Sequence, residues 1–212
     1  MVTHVTYLMD PLCGWCYGAS PALQALSKDP GIDISIAPTG LFAGDGARPM
    51  GAEFAAFAWS NDQRIEALTG QRFTEPYRLQ LLGDTRKRFD SGPATLALTA
   101  VQQTEPQREL QALRAFQEAR YIDGRDTANA VVLIEVLREI GLEAAAQRLQ
   151  DADDALTGAA RKRVSSAQRD MATFGAQGVP NLIVSNGHSR RRVAGNMLYG
   201  DPALLRSALL SA

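Results

Sequence analysis

The chain has 212 residues, of which 45% are hydrophobic and 21% are charged, so it has the composition of a globular protein that can bury a full core. Its net charge of −1 excludes a general attraction to nucleic acid or to an anionic membrane surface. No uninterrupted apolar run reaches the length of about 18 residues that a membrane-spanning helix needs, so none is predicted.

The first segments of the chain predict a βαβ unit. Residues 3–9 are rich in β-branched and aromatic side chains, and residues 32–37 alternate apolar and polar side chains, so both predict strands. Between them we expect one helix from residue 13 to about residue 28. It should bend at Pro21, because proline lacks the N–H of a helical hydrogen bond. Two strands joined in this way run parallel when they share a sheet.

The N-terminus also predicts a location. It lacks the basic start and the small-residue cleavage site of an export signal, and Asp10 and Pro11 interrupt its apolar run. We therefore expect a cytoplasmic protein, in which structural disulfides are uncommon.

Residues 48–174 predict a block of helices without a strand. The apolar side chains near its start have helical spacing: Met50, Phe54, Phe57 and Ala58. Further helix starts are expected at four signals: Ser91-Gly92-Pro93, Pro106, Asp126 or Thr127, and Asp153. The helix after Thr127 is apolar almost all round, which predicts a buried helix.

The β pattern returns near the C-terminus. Residues 181–184 and 190–194 predict a hairpin around a turn at residues 185–187. Asp201 and Pro202 predict the cap and first position of a last helix. One face of that helix carries Leu204, Leu205, Ala208 and Leu209.

The order of elements predicts how the chain is divided. It runs βαβ, then helices, then ββα, with glycine-rich turns on both sides of the helical block. We expect one domain built from residues 1–47 and 175–212, and an inserted helical subdomain of residues 48–174.

Cys13 and Cys16 are the only two cysteines, and they flank Gly14 and Trp15 at the start of the first predicted helix. A thiol at a helix N-terminus faces unpaired N–H groups and the positive end of the helix dipole, and both favour the thiolate. The thiolate is the attacking species in disulfide exchange, and a second thiol one turn along can close a ring with the first. The spacing therefore favours a protein that passes disulfides to others.

The pair has three other interpretations. A zinc site usually has four ligands, and the only other cysteine or histidine residues are His4 and His188, so a site shared between two chains is the metal alternative. A structural disulfide would close a loop too short to remove much unfolded-state entropy. Two inert core cysteines fit poorly with Gly14 and with a helix start.

Local motifs and the order of elements together resemble a known family. Cys13-Gly14-Trp15-Cys16 is similar to a redox motif, Pro21 to a proline that bends the following helix, and Gly178-Val179-Pro180 to a cis-proline loop ahead of a strand. These are features of the DsbA-like thioredoxin-fold family. The chain resembles its branch of predicted protein-disulfide isomerases related to FrnE and to 2-hydroxychromene-2-carboxylate isomerase. The likeness in element order covers essentially the whole chain.

The resemblance implies an α/β thioredoxin fold, with the helical block inserted between its two halves, and thiol–disulfide exchange as the activity. It implies that Cys13 and Cys16 are catalytic and form a redox-active disulfide. Cys13 would be the nucleophile, exposed and with a lowered pKa, and Cys16 the buried resolving thiol. Gly14, Trp15, Val179 and Pro180 would bind substrate, with a cis Val179–Pro180 bond that turns the Val179 backbone towards an extended peptide.

Two positions bear on proton transfer. Tyr7 occupies the strand position where related proteins often hold a buried acid, a departure from the family pattern that affects proton transfer to or from Cys16. Asp10 fits a helix cap as well as it fits a base.

The expected partners are protein or peptide thiols and disulfides, with glutathione as a further redox partner. No metal, other cofactor, nucleic acid or membrane partner is expected, and no oligomeric state is predicted. One alternative is a glutathione-dependent isomerase or transferase of the same fold. The other is a chaperone that uses an apolar groove without catalysis.

Lesser signals complete the sequence predictions. Arg190, Arg191 and Arg192 indicate a solvated edge strand, with an anchor for an anionic partner as the alternative. His188 is expected on the surface. Four apolar side chains are candidates either for a groove near the thiols or for the core: Met9, Leu12, Phe42 and Trp59.

Overall fold

The computed structural model of the chain describes residues 2–187 and 189–211. Strand β1 spans Thr3–Met9, helix α1 Gly14–Gly18, helix α2 Ser20–Leu26 and strand β2 Ile32–Pro38. The prediction of one bent helix was wrong, because two short helices meet at Ala19. Pro21 lies in the first turn of α2, where its missing N–H leaves no helical hydrogen bond unmade, so a new helix begins there.

The central block contains two short strands and most of the helices. In chain order its elements are β3 (Arg48–Pro49), α3 (Ala52–Thr69), α4 (Glu75–Tyr77) continuing as a π-helical turn (Arg78–Leu82), β4 (Arg88–Phe89), α5 (Gly92–Thr104), a 3₁₀ turn (Pro106–Arg108), α6 (Glu109–Tyr121), α7 (Ala130–Glu139), α8 (Glu143–Asp151) and α9 (Asp154–Thr173). The expectation of no strand was wrong, since β3 and β4 pair antiparallel. Two residues are too few to show an alternating pattern.

Helix starts in this block were predicted with mixed success. Asp153 caps α9 by accepting a hydrogen bond from the Leu156 N–H at 2.8 Å. The cap of α7 is neither Asp126 nor Thr127, because the Asn129 side chain accepts from the Val131 N–H at 2.9 Å. The expectation that α7 is buried on all sides was also wrong, since Val131 is 61% exposed. The buried face of α7 consists of Leu133, Val136 and Leu137.

The C-terminal elements follow the prediction closely. Strand β5 spans Asn181–Ser185, strand β6 Arg190–Val193 and helix α10 Pro202–Leu210, after a 3₁₀ segment at Gly195–Tyr199. Asp201 caps α10 through the Ala203 N–H at 2.8 Å. On the predicted apolar face Leu205 and Leu209 are buried, but Leu204 is exposed to solvent. The prediction for His188 lies outside the described residues.

The four long strands form one sheet in the order β2–β1–β5–β6. β1 and β2 run parallel, whereas the β1–β5 and β5–β6 pairs are antiparallel. This is the predicted βαβ…ββα order, so the thioredoxin fold with a helical insertion is confirmed. Because β5 runs opposite to β1, the start of β5 lies beside the end of β1, with Leu8 opposite Asn181.

One large apolar core joins the sheet to the helices of the central block. A smaller cluster of Leu8, Ala167, Ala176 and Ile183 packs on the other face of the sheet. The division into domains at residues 48 and 174 stays a prediction. Among the described helices, none combines the length and the apolar character that crossing a membrane requires.

Candidate functional site

Residues distant in sequence meet at one edge of the sheet. Cys13 follows the end of β1 and Pro180 precedes β5, so the register of these strands brings the two loops together. The Cys13 thiol points at the Val179 carbonyl, with Sγ and O 3.9 Å apart. The Val179–Pro180 peptide bond is cis, as the resemblance implied.

Cys13 is the N-cap residue of α1. Its backbone is extended, at φ −82° and ψ 118°, and its carbonyl accepts the first helical hydrogen bond from the Tyr17 N–H at 3.0 Å. The side chain therefore lies at the end of the helix where backbone N–H groups are unpaired. The expectation of an exposed thiol was wrong, because the residue is only 7% exposed. Helix α1 packs on helix α3 of the inserted block, and this packing removes Cys13 from solvent.

Cys16 is fully buried beneath Cys13, and both are free cysteines. Burial raises the pKa of the Cys16 thiol well above its usual value, and the neighbouring Cys13 sulfur adds to this effect. The Tyr7 hydroxyl lies beside Cys16 and donates to its backbone carbonyl at 3.2 Å. Burial also raises the pKa of Tyr7, so the phenol remains a proton donor at neutral pH.

Asp10 anchors the loop that carries the cysteines. It is completely buried, and it accepts hydrogen bonds from the Leu12 N–H at 2.9 Å, the Phe42 N–H at 3.1 Å and the Ser91 hydroxyl at 2.7 Å. Burial raises its pKa, although these hydrogen bonds oppose the change. None of its donors belongs to α1, so the interpretation as a cap of that helix was wrong.

An apolar cavity of about 210 Å³ opens beside Cys13, between α1 and the inserted helix α3. Leu12 and Phe42 line it, as the groove interpretation expected, but Met9 is fully buried in the core. Trp59 does not line it and instead lies under the Arg78 guanidinium, which is 5.1 Å from the ring centroid. The remaining wall combines aromatic side chains with a few polar ones, among them Phe54, Phe57, Phe89, Tyr121, Arg48 and Asn61.

The two residues between the cysteines also line this cavity. Trp15 is held by Tyr199, whose ring centroid is 5.4 Å away and whose hydroxyl donates to the Trp15 carbonyl at 2.8 Å. Gly14 is tightly covered, because a Cβ atom at this position would lie 2.6 Å from Oδ1 of Asp62. A larger residue would displace the Asp62 side chain.

Asp62 and its neighbours form a buried polar group that the sequence analysis missed. The Tyr77 hydroxyl donates to Oδ2 of Asp62 at 3.0 Å. Burial raises the pKa of Asp62 to about 7, although the Tyr77 hydrogen bond and the charge of Arg120 oppose this change. The Arg120 guanidinium is itself buried, 5.5 Å from the Tyr77 ring centroid and 5.1 Å from that of Phe89. The available sequence signal was an aspartate three residues before Ile65, on the buried face of α3.

The three arginines of β6 have partners within the protein. Arg190 pairs with Asp170 at 2.6 Å, and Arg192 donates to the Asn181 side chain at 3.2 Å. Arg191 donates to the Ser211 carbonyl at 2.8 Å. These contacts support the edge-strand interpretation, since β6 is the last strand of the sheet. In the part of the chain that the structure describes, no three His, Cys, Asp or Glu side chains are grouped to hold a metal ion.

Residues 4–204 match the model of a family described as a DSBA-like thioredoxin domain. None of the curated proteins matches the chain in sequence. Among solved structures, the chain is similar to the cytosolic disulfide reductase DsbM from Pseudomonas aeruginosa, at 32% identity and a TM-score of 0.86 over 97% of this chain and 98% of that chain. The structure of that reductase with GSH gives 33% identity and a TM-score of 0.83 over the same shares.

Two more distant structures share the fold alone. A Nitrosomonas europaea protein assigned as a protein disulfide isomerase is 22% identical, with a TM-score of 0.79 over 99% of this chain and 96% of that chain. A 2-hydroxychromene-2-carboxylate isomerase is 17% identical, with a TM-score of 0.61 over 97% of this chain and 93% of that chain.

Proposed function

Because the chain belongs to the DSBA-like thioredoxin-domain family, we propose that it is a cytoplasmic thiol–disulfide oxidoreductase in which Cys13 attacks and Cys16 resolves. The observation that carries this proposal is the position of the Cys13 thiol. It lies at the N-terminus of α1, faces the Val179 carbonyl at 3.9 Å and lines the apolar cavity.

In the first step the Cys13 thiolate attacks one sulfur of a substrate disulfide. A Cys13–substrate disulfide forms, the substrate S–S bond breaks, and the other substrate sulfur leaves as a thiolate that takes up a proton. The burial of Cys16 supports this order of attack, because its raised pKa keeps that sulfur protonated while Cys13 reacts.

In the second step the Cys16 sulfur loses its proton and attacks the Cys13 sulfur. The mixed disulfide breaks, the second substrate thiol is released, and a Cys13–Cys16 disulfide remains. The substrate has then gained two electrons and two protons, and the protein has lost them. A thiol reductant returns the pair to the dithiol form, and the same steps in reverse oxidise a dithiol substrate.

The substrate would bind across the Cys13 thiol. The Val179 backbone is half-buried at the end of its loop, so it offers a carbonyl to an extended peptide chain. Gly14 and Trp15 line the cavity beside the sulfur, and Pro180 follows Val179 through the cis bond. The assignment of these four residues to substrate binding stays a proposal.

The direction of exchange that we propose is reduction, with glutathione as the thiol that regenerates the pair. This rests on the similarity to a cytosolic disulfide reductase and to its structure with GSH, each about one third identical over nearly the whole length of both chains. Isomerisation of protein disulfides uses the same first step. It is the finer activity that the sequence resemblance suggests.

The cysteine variants test the proposal. Reduction of a fluorescent peptide disulfide in the presence of glutathione should fall to the uncatalysed rate in Cys13→Ser. Cys16→Ser should still attack once and accumulate a mixed disulfide, which mass spectrometry of the intact protein detects. Because no other cysteine exists, any trapped adduct reports on Cys13 alone.

Full turnover by Cys13→Ser would contradict the proposal. That result, together with tight glutathione binding, would favour the glutathione-dependent isomerase, in which the bound tripeptide supplies the working thiol. Chaperone activity that persists without either cysteine would favour the non-catalytic alternative.

A further inference from the structure

The cavity that Cys13 lines also holds a buried acid, which the two-cysteine mechanism leaves unused. Asp62 is 4% exposed and lines the same cavity as Cys13 and Gly14. Tyr77 donates to its Oδ2 atom. Oδ1 faces Gly14, and among the described residues no side chain or backbone group donates a hydrogen bond to it. One oxygen of a buried carboxyl is therefore free at the edge of the nucleophile's cavity.

We propose that Asp62 is the general acid that protonates the departing thiolate in the first exchange step. The inference rests on the proposed function and names a further catalytic residue for it. The Asp62 carboxyl gives its proton to the leaving sulfur as the substrate S–S bond breaks, and the products are a neutral thiol, the Asp62 carboxylate and the mixed disulfide on Cys13. In the reverse direction the carboxylate takes the proton from the attacking thiol.

The cavity offers the leaving group a position beside Asp62. Under the proposed function, the substrate chain that carries the attacked sulfur pairs with the Val179 carbonyl, which lies 3.9 Å from the Cys13 sulfur. Val179 does not line the cavity that Cys13 and Asp62 share. We place the other half of the substrate, which leaves along the axis of the S–S bond, in this cavity. A volume of about 210 Å³ is enough for a side chain that carries the departing sulfur.

The surroundings of Asp62 suit a proton donor. Burial raises its pKa to about 7, and the pKa of an efficient general acid lies near the working pH. The titratable and charged groups that face it are Tyr77 from α4, Arg120 and Tyr121 from α6, Arg48 from β3 and Cys13 across the cavity. Burial also raises the pKa values of both tyrosines, so Asp62 is the carboxyl of this group and the tyrosines stay protonated near neutral pH.

The position of Asp62 also bears on Tyr7. Tyr7, at the strand position beside Cys16, is a phenol and not a carboxylic acid. Burial raises its pKa, so it stays protonated at neutral pH. The inserted helix α3 supplies one from the other side of the thiol pair.

The test varies the basicity of the leaving thiol. A basic thiolate needs a proton to leave, whereas a weakly basic aromatic thiolate leaves without one. One peptide cysteine is joined either to an aliphatic thiol or to 5-thio-2-nitrobenzoate, and release of that thiol is followed in a single turnover. Each protein also carries Cys16→Ser, so that only the attack by Cys13 is observed.

We expect Asp62→Asn to slow release of the aliphatic thiol by roughly 100-fold, the lower end of the range for general acids, and to leave release of the aromatic thiol nearly unchanged. Asparagine keeps the shape and still accepts from Tyr77, but it has no proton to give at neutral pH. The control Glu53→Gln removes an exposed carboxyl from the same helix and should change neither rate.

The pH dependence gives a second readout. In the protein with Asp62, the ratio of the aliphatic to the aromatic rate should fall as the pH rises through about 7, because the carboxyl loses its proton there. Both reactions use the same Cys13 nucleophile, so its contribution to the pH dependence cancels in the ratio of the two rates. Tyr77→Phe removes a hydrogen bond that lowers the pKa of Asp62, so the midpoint of this fall should move to higher pH.

Equal slowing of both leaving thiols by Asp62→Asn, or no slowing of either, would overturn the inference and leave the two-cysteine mechanism standing. If the asparagine variant does not fold, the Tyr77→Phe midpoint decides, and an unmoved midpoint overturns the inference. Failure of the proposed function has a different signature, because thiol release would then persist when Cys13 is replaced by serine.

Discussion

At residue 195 only a hydrogen atom fits as a side chain. Gly195 is buried, and a Cβ atom there would collide with the Pro180 carbonyl, which belongs to the backbone and has no alternative rotamer. The close approach holds the loop of Pro180 against the segment that follows β6. Nothing in the local sequence marked this glycine, because its constraint comes from a residue fifteen positions away.

We expect Gly195→Ala to lower the free energy of unfolding by about 1–3 kcal/mol, the usual cost of overpacking. It should also slow peptide-disulfide reduction, since the Pro180 loop must move away from Cys13. The matched control is Gly158→Ala, in the interior of α9 with open space around it. That change should stabilise the protein by about 0.5–1 kcal/mol and leave activity unchanged. Urea unfolding of both variants checks this, and equal stabilities would contradict it.

At the scale of single elements, caps and prolines explain where most helices begin. Asp153 and Asp201 cap α9 and α10 as their sequence signals predict. The start of α7 differs, because three of the four side chains at residues 126–129 offer an acceptor and the backbone selects the last one. Asn129 has the extended backbone of a cap residue, whereas Asp126 accepts from the Ala128 N–H within the preceding turn.

The cap of α7 makes a prediction of its own. Asn129→Ala should lower the free energy of unfolding by about 1 kcal/mol, because the Val131 N–H loses its partner. Asn129→Asp keeps an acceptor and adds a negative charge at the positive end of the helix, so it should cost nothing or stabilise slightly. Denaturation of the two variants side by side distinguishes a cap from a solvent-exposed amide. Equal losses in alanine and aspartate would argue against the cap.

At the scale of the whole molecule, one arginine ties the inserted helices to the sheet. Arg163 of α9 donates to the Ile36 carbonyl in β2 at 2.9 Å and to the Thr99 hydroxyl of α5 at 3.2 Å, and it pairs with Glu109 of α6. Four elements meet at this guanidinium. The burial of the Glu109 carboxyl outweighs the positive charge of Arg163 and raises the pKa of Glu109 to about 7.

We expect Arg163→Met to lower the free energy of unfolding by about 3 kcal/mol at pH 8, because Glu109 then stays buried without its partner. At a pH below its pKa in the unfolded chain, Glu109 is neutral in both the folded and the unfolded protein. The loss of unfolding free energy should therefore be smaller at pH 4 than at pH 8. Adding Glu109→Gln should recover part of the loss at pH 8. Urea unfolding at the two pH values measures this, and additive losses in the double variant would show that the pair is not coupled.

The sequence by itself determined the elements whose signals lie within a few residues. The strands of the sheet, the start of α5 after Ser91 and the position of the cysteine pair all follow from periodicity, caps and spacing. The order of elements follows from the same signals, and the resemblance added the thioredoxin fold and the cis bond before Pro180. These predictions succeeded because hydrogen bonding and side-chain alternation within an element depend on its own residues.

The tertiary structure alone decided what surrounds the thiols. It buried Cys13, which the resemblance implied would be exposed, and it placed Asp62 of the inserted block against Gly14. Cys13 and Val179 are 166 positions apart and meet only because β5 runs antiparallel to β1. Contacts of this kind depend on how whole elements pack, and no local pattern in a single chain encodes that packing.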